Sequence, residues 1–381
     1  MKLSLKELTD VVASHLVKEK SGNATYTPTF NDWTGAIDKI GKFVELTDDY
    51  EDEAPELEGE ALPFGKSIEE IHEDLILPYN HDPTGAGALT PATSTFRPAS
   101  WSYPLVEKTF KKMIRRNFFE ASCRNSEDFA TTLANHVKTM VDSRVLWRNQ
   151  CKRQLLGNAI AKIIEQRTAA STYTASTVYA VGKTLQSTSS SKVYGIVVKA
   201  ITSASYALYN TWETNVANGF IIPLLNIVYL PRPTDTASGE AYLQKIKDLS
   251  EIASAESEGY SNNGNTMGAK KAGSLVLYQK FGIQSVLDVQ VKAGTIQLDQ
   301  LKLAVNTIAR KNFGTIKVGE TDYTGKVYAF LIDPRGIKLH NNYMNSASET
   351  NADGDFENDY FHEQDTPFIS NNTFAVVIME E

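Results

Sequence analysis

Between Ser126 and Arg167 the sequence carries an uninterrupted helical rhythm, and no other feature restricts the possible folds so strongly. Phe129, Leu133, Val137, Met140, Val141, Val145, Cys151, Leu155, Ala159 and Ile163 recur at three- and four-residue steps, with no proline among them. Asn125 or Ser126 supplies a cap, and Glu127 and Asp128 sit at the positive end. A continuous helix of about 40 residues would run roughly 60 Å, longer than a small globular domain needs. Gly157 is one place where it would bend or break.

The chain around this helix is too long for one core. At 381 residues it exceeds the limit of about 250–300 residues, so two or three subdomains are expected. A hydrophobic fraction of 41% against 22% charged excludes wholesale disorder. The net charge of −8 argues against a sequence-reading DNA-binding protein, because the average surface repels a polyanion. The longest apolar run, Phe220 to Leu230, is too short for a bilayer and carries Pro223 and Asn226, so it reads as a buried strand or bent core segment. The opening MKLSLKELTDVVASHLVK lacks the pattern of a signal peptide, so the product is expected to stay in the cytoplasm where it is made. Cys123 and Cys151 give no disulfide framework and read as small buried hydrophobes.

Before the long helix, two amphipathic helices are expected, one with Leu5, Leu8, Val12, His15 and Leu16 on one face, the other with Trp33, Ile37, Ile40 and Val44. The acidic run from Asp48 to Glu60, eight carboxylates without a basic residue, reads as a solvated linker. Pro83 to Ser100 has the composition of an extended loop, and Val106, Lys108, Phe110 and Lys112 alternate as a strand. After the helix, SSSKVYGIVVKAI, FIIPLLNIVYL, LVLYQKFG, SVLDVQV, KVYAFLIDP and NTFAVVIM read as strands. GEAYLQKIKDLSEIASAESEG reads as a helix, as does IQLDQLKLAVNTIARKNFG, closing on Gly314. SNNGNTMGAKKAG and SASETNADGDFEND read as loops. The chain is mixed α and β, without a repeat of solenoid length.

Candidate chemistry fails on spacing. In GEALPFGKS five residues separate Gly59 from Gly65, one too many for a phosphate-binding loop, and the Gly182, Lys183, Thr184 string has Thr177 where its leading glycine should stand. Asp353, Asp355, Glu357 and Asp359 open like a calcium loop, but Asn358 and Gln364 occupy the places of the required glycine and glutamate, so a solvated loop is the default. The six histidines lack zinc spacing, and His72 beside Glu73 and Asp74 suggests surface electrostatics alone. No catalytic, cofactor-binding or metal-ligating residue is named. The basic patch Lys108 to Arg116 reads as a strip that meets a neighbouring copy's carboxylates.

GKSIEEIHEDLILPYNHD, the stretch from KTFKKMIRRNFFEASCRN through the long helix to RQLL, KVYAFLIDPRGIKLHNNYM and FISNNTFAVVIMEE resemble segments of one family. It is the major head proteins of short-tailed phages related to phi-twenty-nine, with the Hong Kong 97 coat fold. The likeness covers Gly65 to Ile164 and Val327 to Met379, and Tyr173 to Asn265 does not align with it. It implies an α+β coat fold divided into a helical N-terminal arm and acidic linker over 1–57, an extended loop with flanking strands over 58–112, a spine helix and peripheral domain over 113–185, an axial domain over 186–345, and a C-terminal loop and closing strand over 346–381.

The resemblance further implies a structural, non-enzymatic subunit of hexamers and pentamers in an icosahedral head. Scaffolding and portal proteins are the implied partners, double-stranded DNA is enclosed, and no membrane is involved. An encapsulin-type compartment shell is the nearest alternative, and a soluble nucleotide-using enzyme a more distant one. The intersubunit contacts expected are Trp33 in the arm, Lys111, Lys112, Arg115 and Arg116 as charge partners, and the loop from Pro83 to Pro98.

Overall fold

The computed structural model describes residues 2–3, 45–46, 50–63, 68–73, 81, 83–85, 96–98, 100–101, 103, 105–122, 126–190, 192–270, 273–288 and 305–381. Both expected N-terminal helices, and most of the loop from Pro83 to Ser100, lie outside these residues. Lys2–Leu3 and Glu45–Leu46 pair as two short parallel strands and Pro55–Leu57 forms a 3-10 turn; β1 (Ile71–Glu73), β2 (Phe96–Pro98), β3 (Ser100–Trp101), β4 (Val106–Arg115), α1 (Arg116–Ser122) and α2 (Ser126–Thr168) come next. There follow β5 (Ser171–Thr172), β6 (Thr184–Gln186), β7 (Tyr194–Val197), α3 (Ser203–Leu208), α4 (Trp212–Ala217), β8 (Ile221–Pro223), β9 (Ile227–Tyr229) and α5 (Thr236–Ala253). The last are β10 (Val276–Lys280), α6 (Ile283–Val286), β11 (Asn306–Arg310), β12 (Val327–Ile332), β13 (Ile337–Asn351), β14 (Phe356–Ser370) and β15 (Ala375–Met379).

α2 is the expected long helix, 43 residues and about 65 Å. Gly157 does not break it. A side chain there would place its Cβ 2.3 Å from the carbonyl oxygen of Phe313, so the glycine lets a second segment of backbone lie against the helix. Gln154 fixes that segment, accepting from the Thr315 amide at 3.0 Å and donating to the Thr315 carbonyl at 3.0 Å. Gly314, φ +72°, turns the chain there, and its Cβ would meet the Gln154 Cα at 2.8 Å.

The chain divides into two units, one of Met1–Ser67, Tyr103–Lys152 and Leu339–Pro367, the other of Ile68–Ser102, Arg153–Lys338 and Phe368–Glu381. In the first, β14 lies between β13 and β4, with Phe356 opposite Arg115 and Asp365 opposite Val106. The stretch expected as a polar loop, SASETNADGDFEND, is instead the end of a hairpin of two 15-residue strands, and Asp355 takes φ +49° at its turn. Its alternating polar residues are a strand period, and several face inward. Phe119 and Phe129 meet edge to face at 5.8 Å, and Ile114, Leu133 and Ala134 are buried in the same unit.

The second unit holds a five-stranded mixed sheet in the order β9-β15-β12-β10-β11, with β12 antiparallel to both its neighbours. All six residues of β12 and all five of β15 are buried, as expected for their apolar runs. Helix α5, opened by a capping box between Asp235 and Ser238, packs Tyr242, Leu243, Ile246 and Leu249 into the same core. FIIPLLNIVYL divides into β8 and β9, which belong to different sheets, with Pro223 on an edge strand where no ladder donor is missed. The other sheet, β8-β7-β6-β5, encloses Tyr173, Leu185, Val197, Ile201, Trp212 and Ile221.

Two expectations in this unit are overturned. Ser285 and Val286, expected in a strand, end the one-turn helix α6, because Gly282 (φ +93°) interrupts the chain and the buried Ile283 and Leu287 stand four residues apart. The expected helix closing on Gly314 is, where described, the strand β11. Parallel pairing of Asn306–Arg310 with Val276–Lys280 satisfies an edge of β10 that a helix in its place would leave open.

Candidate functional site

In the first unit, the face of α2 turned to the sheet is not simply apolar. Four residues of helix rise about 6.0 Å and two residues of strand about 6.7 Å, so positions four apart on α2 keep nearly in step with alternate positions of β14. His136, Arg144 and Arg148 therefore meet Asp359, Glu363 and Asp365. His136 Nε2 lies 2.7 Å from Asp359, and Arg144 Nε lies 3.0 Å from each carboxylate oxygen of Glu363. Arg148 Nη1 donates to Glu363 at 2.6 Å and to Asp365 at 2.7 Å. Asn341 of β13 donates to the same two oxygens at 3.2 and 3.1 Å. Between the charged rungs, the Arg144 guanidinium lies 5.8 Å from the Phe361 ring, and Phe110 packs edge-on against Trp147 at 6.0 Å.

The acidic run, expected as a solvated linker, supplies the next rungs. Glu58 accepts from Arg148 and lies 2.7 Å from Lys152, which also binds Asp52. Asn149 holds the backbone of this segment, accepting from the Glu53 amide at 3.1 Å and donating to the Glu51 carbonyl at 3.0 Å. The segment continues along β13, where the Gly59 amide donates to the Leu339 carbonyl at 2.9 Å and that of Leu62 to Asn341 at 2.8 Å. Gly59 is required, because a Cβ there would lie 2.3 Å from the His340 ring.

Burial makes these contacts decisive. The side chains of Glu363 and Asp365 are 0% exposed and that of Arg148 7%. For Arg148 burial favours the neutral form, but Asp365, Glu58 and Glu363 together outweigh it and hold the guanidinium charged. Glu58, despite its own burial, is held below the usual carboxylate range by Arg148 and Lys152. Asp365 goes the other way: burial first, then repulsion from Glu363, raises it to about 6 against the pull of Arg148. Burial, then the Asp365 charge, pushes the Cys151 thiol up to about 12, so it stays a protonated, unreactive thiol at neutral pH. The arrangement is a clamp that fixes a helix to a sheet in one register.

Sequence reasoning met Asp359 only in a calcium-loop pattern and Asp52 and Glu58 only in an acidic linker, and assigned none of these residues to a clamp. The anticipated contact residues lie elsewhere: exposed Lys111 has its ammonium 5.3 Å from the Tyr360 ring centre, and half-buried Lys112 reaches the His136 carbonyl at 3.5 Å. Arg115 is exposed, and Arg116 pairs with Asp355 of its own chain at 3.1 Å. Pro83 stands in an exposed turn, Pro98 ends β2 opposite Ile71, and Trp33 lies outside the described residues. His72, expected to do no more than colour the surface charge, accepts at Nδ1 from the Asn372 side-chain amide at 3.0 Å in the second unit.

Residues 167–379 match the model of the Phi29-like phage major capsid protein family. The chain belongs to that family. The matched span includes Tyr173 to Asn265, the stretch that lies outside the resemblance described above. Among solved structures, the chain is similar to one in "Structure of head fiber and inner core protein gp22 of native bacteriophage P68", at 14% identity over 89% of this chain and 87% of that one, TM-score 0.52. It is also similar to one in the capsid structure of Staphylococcus phage Andhra, at 11% identity over 96% and 90%, TM-score 0.51. No curated protein matches it. The fold is therefore the α+β coat fold of Hong Kong 97 type, and the role is structural: a capsid subunit that associates with copies of itself in a virion shell.

Proposed function

We propose that this capsid subunit assembles as hexamers and pentamers into an icosahedral head enclosing double-stranded DNA, with a portal and a separate scaffolding protein as partners and the host cytoplasm as the place of assembly. The family match over 167–379 is the observation that carries this reading. The clamp on α2 supports it physically, because a tile that must repeat many times benefits from a spar whose helix and sheet keep one register. The net charge of −8 suits a container wall that does not grip phosphates tightly. Trp33 and the loop bearing Pro83 and Pro98 are the proposed reach onto neighbouring copies. Lys111 and Arg115, both exposed, are the cations best placed to meet a neighbour's carboxylates, with Lys112 and Arg116 contributing less because a carbonyl and a carboxylate of their own chain already engage them. Negative-stain electron microscopy of the purified chain, alone and with its candidate scaffold, tests the reading. Closed particles or ring-shaped capsomers are expected; a small monodisperse globule under both conditions overturns it.

A further inference from the structure

From Thr168 to Pro231 the only charged side chains are Lys183, Lys192, Lys199 and Glu213, in a chain that is 22% charged overall. Burial does not account for this, because part of the stretch is on the surface. Helix α3 has no buried residue, and Leu208 at its end is 75% exposed, more than any other large apolar side chain among the described residues. Val178 is 61% exposed. Both belong to one tip: Asn210, two residues beyond Leu208, accepts from the amide of Ser176, two residues before Val178, at 2.8 Å, and from its hydroxyl at 3.1 Å.

The tip is built to hold its shape. Ser176 takes φ +56° under the grip of Asn210, and Tyr179 and Ile201 exchange both backbone hydrogen bonds at 2.9 Å. Thr202 caps α3, and Thr211 and Thr214 form a capping box on α4. Every one of these fastenings is uncharged, so little ordering remains to be done when a partner arrives.

What covers the tip follows from charge. A member of this family associates with its own copies, and each copy carries −8, so facing surfaces of average composition repel. Copies approach at lower cost where the chain is not acidic, and this stretch holds three lysines against one glutamate, Lys192 being paired with Glu381 of its own chain. Interface centres are depleted in charge, and exposed apolar patches mark them. We infer that the tip carrying Val178 and Leu208 docks against a second copy of this chain, a contact that rests on, and makes specific, the proposed shell assembly.

The test compares the full-length wild type with Val178→Asp and Leu208→Asp by sedimentation velocity across a concentration series, alongside thermal unfolding of the dissociated subunits. Because both positions are exposed, the melting temperature is expected to stay within about 1 °C of wild type, while the concentration needed for assembly rises at least about tenfold. Variants that assemble at the wild-type concentration overturn the docking inference alone, leaving the tip to solvent or to a different partner. A wild-type chain that stays monomeric at every concentration, with and without scaffold, overturns both the inference and the shell reading.

Discussion

Replacing Arg148 by methionine tests whether the clamp holds the first unit together. The substitution keeps a long stem but removes the one cation shared by Glu363, Asp365 and Glu58. Glu363 retains Arg144, Glu58 retains Lys152, and Asp365 is left with the Asn341 amide. Breaking a buried pair in this way costs about 3–5 kcal/mol, a large share of the roughly 5–15 kcal/mol that stabilises a domain. Urea unfolding of the unassembled subunit, followed by tryptophan fluorescence and circular dichroism, should show a loss of that size. Adding Asp365→Leu removes the carboxylate with the least remaining support, so the double variant should recover at least about 1.5 kcal/mol of what the two single losses would sum to. A single-variant loss below about 1 kcal/mol, or strictly additive losses in the cycle, would refute the idea that these charges are held against each other.

The raised Asp365 carboxyl gives a pH dependence of defined sign. Its folded value of about 6 lies above the ordinary 3.8, so it contributes stability that is present below pH 3.8 and lost as pH rises through 6. Relative to wild type, Asp365→Asn should gain about 3 kcal/mol between pH 4 and pH 8 in chemical unfolding; a constant difference would contradict the assignment. Glu58 works in the opposite sense, its stabilisation being lost as pH falls below 4.5, so Glu58→Gln should unfold less steeply with acid. Gly157→Ala should destabilise by about 1–2 kcal/mol despite its better helix propensity, because the added methyl meets the Phe313 carbonyl; a stabilised variant in thermal unfolding would show that the contact yields. In a Cys123→Ser background at pH 8, Cys151 should react with a thiol reagent about a thousandfold more slowly than an ordinary cysteine, and at the ordinary rate only after unfolding.

The elements that sequence reading found are those whose reason lies in neighbouring residues. α2 declares itself through spacing and the absence of proline, and α5, β12 and β15 through periodic or continuous apolar runs. β11 could not be read that way, because its partner strand begins some thirty residues earlier and the pairing outweighs local preference. The clamp was hidden for the same reason: Arg148 and Glu363 stand 215 residues apart. Its two halves were nonetheless visible. Arg144, Arg148 and Lys152 recur every four residues within the helix, and Glu357, Asp359, Glu363 and Asp365 fall on alternate positions, a period of two that belongs to a strand rather than to a calcium loop.

The rungs of the clamp also hold the helix against slipping in either direction. In the native register Met140 stands level with Phe361, between the His136–Asp359 and Arg144–Glu363 pairs. Slide α2 forward by one turn and Met140 comes opposite Glu363; slide it back and it comes opposite Asp359. Either move leaves a wholly buried carboxylate facing a thioether, at a cost of about 3–5 kcal/mol. The single apolar rung thus works as the blank tooth of a key, and a load applied along the helix must be relieved elsewhere in the subunit before this joint creeps.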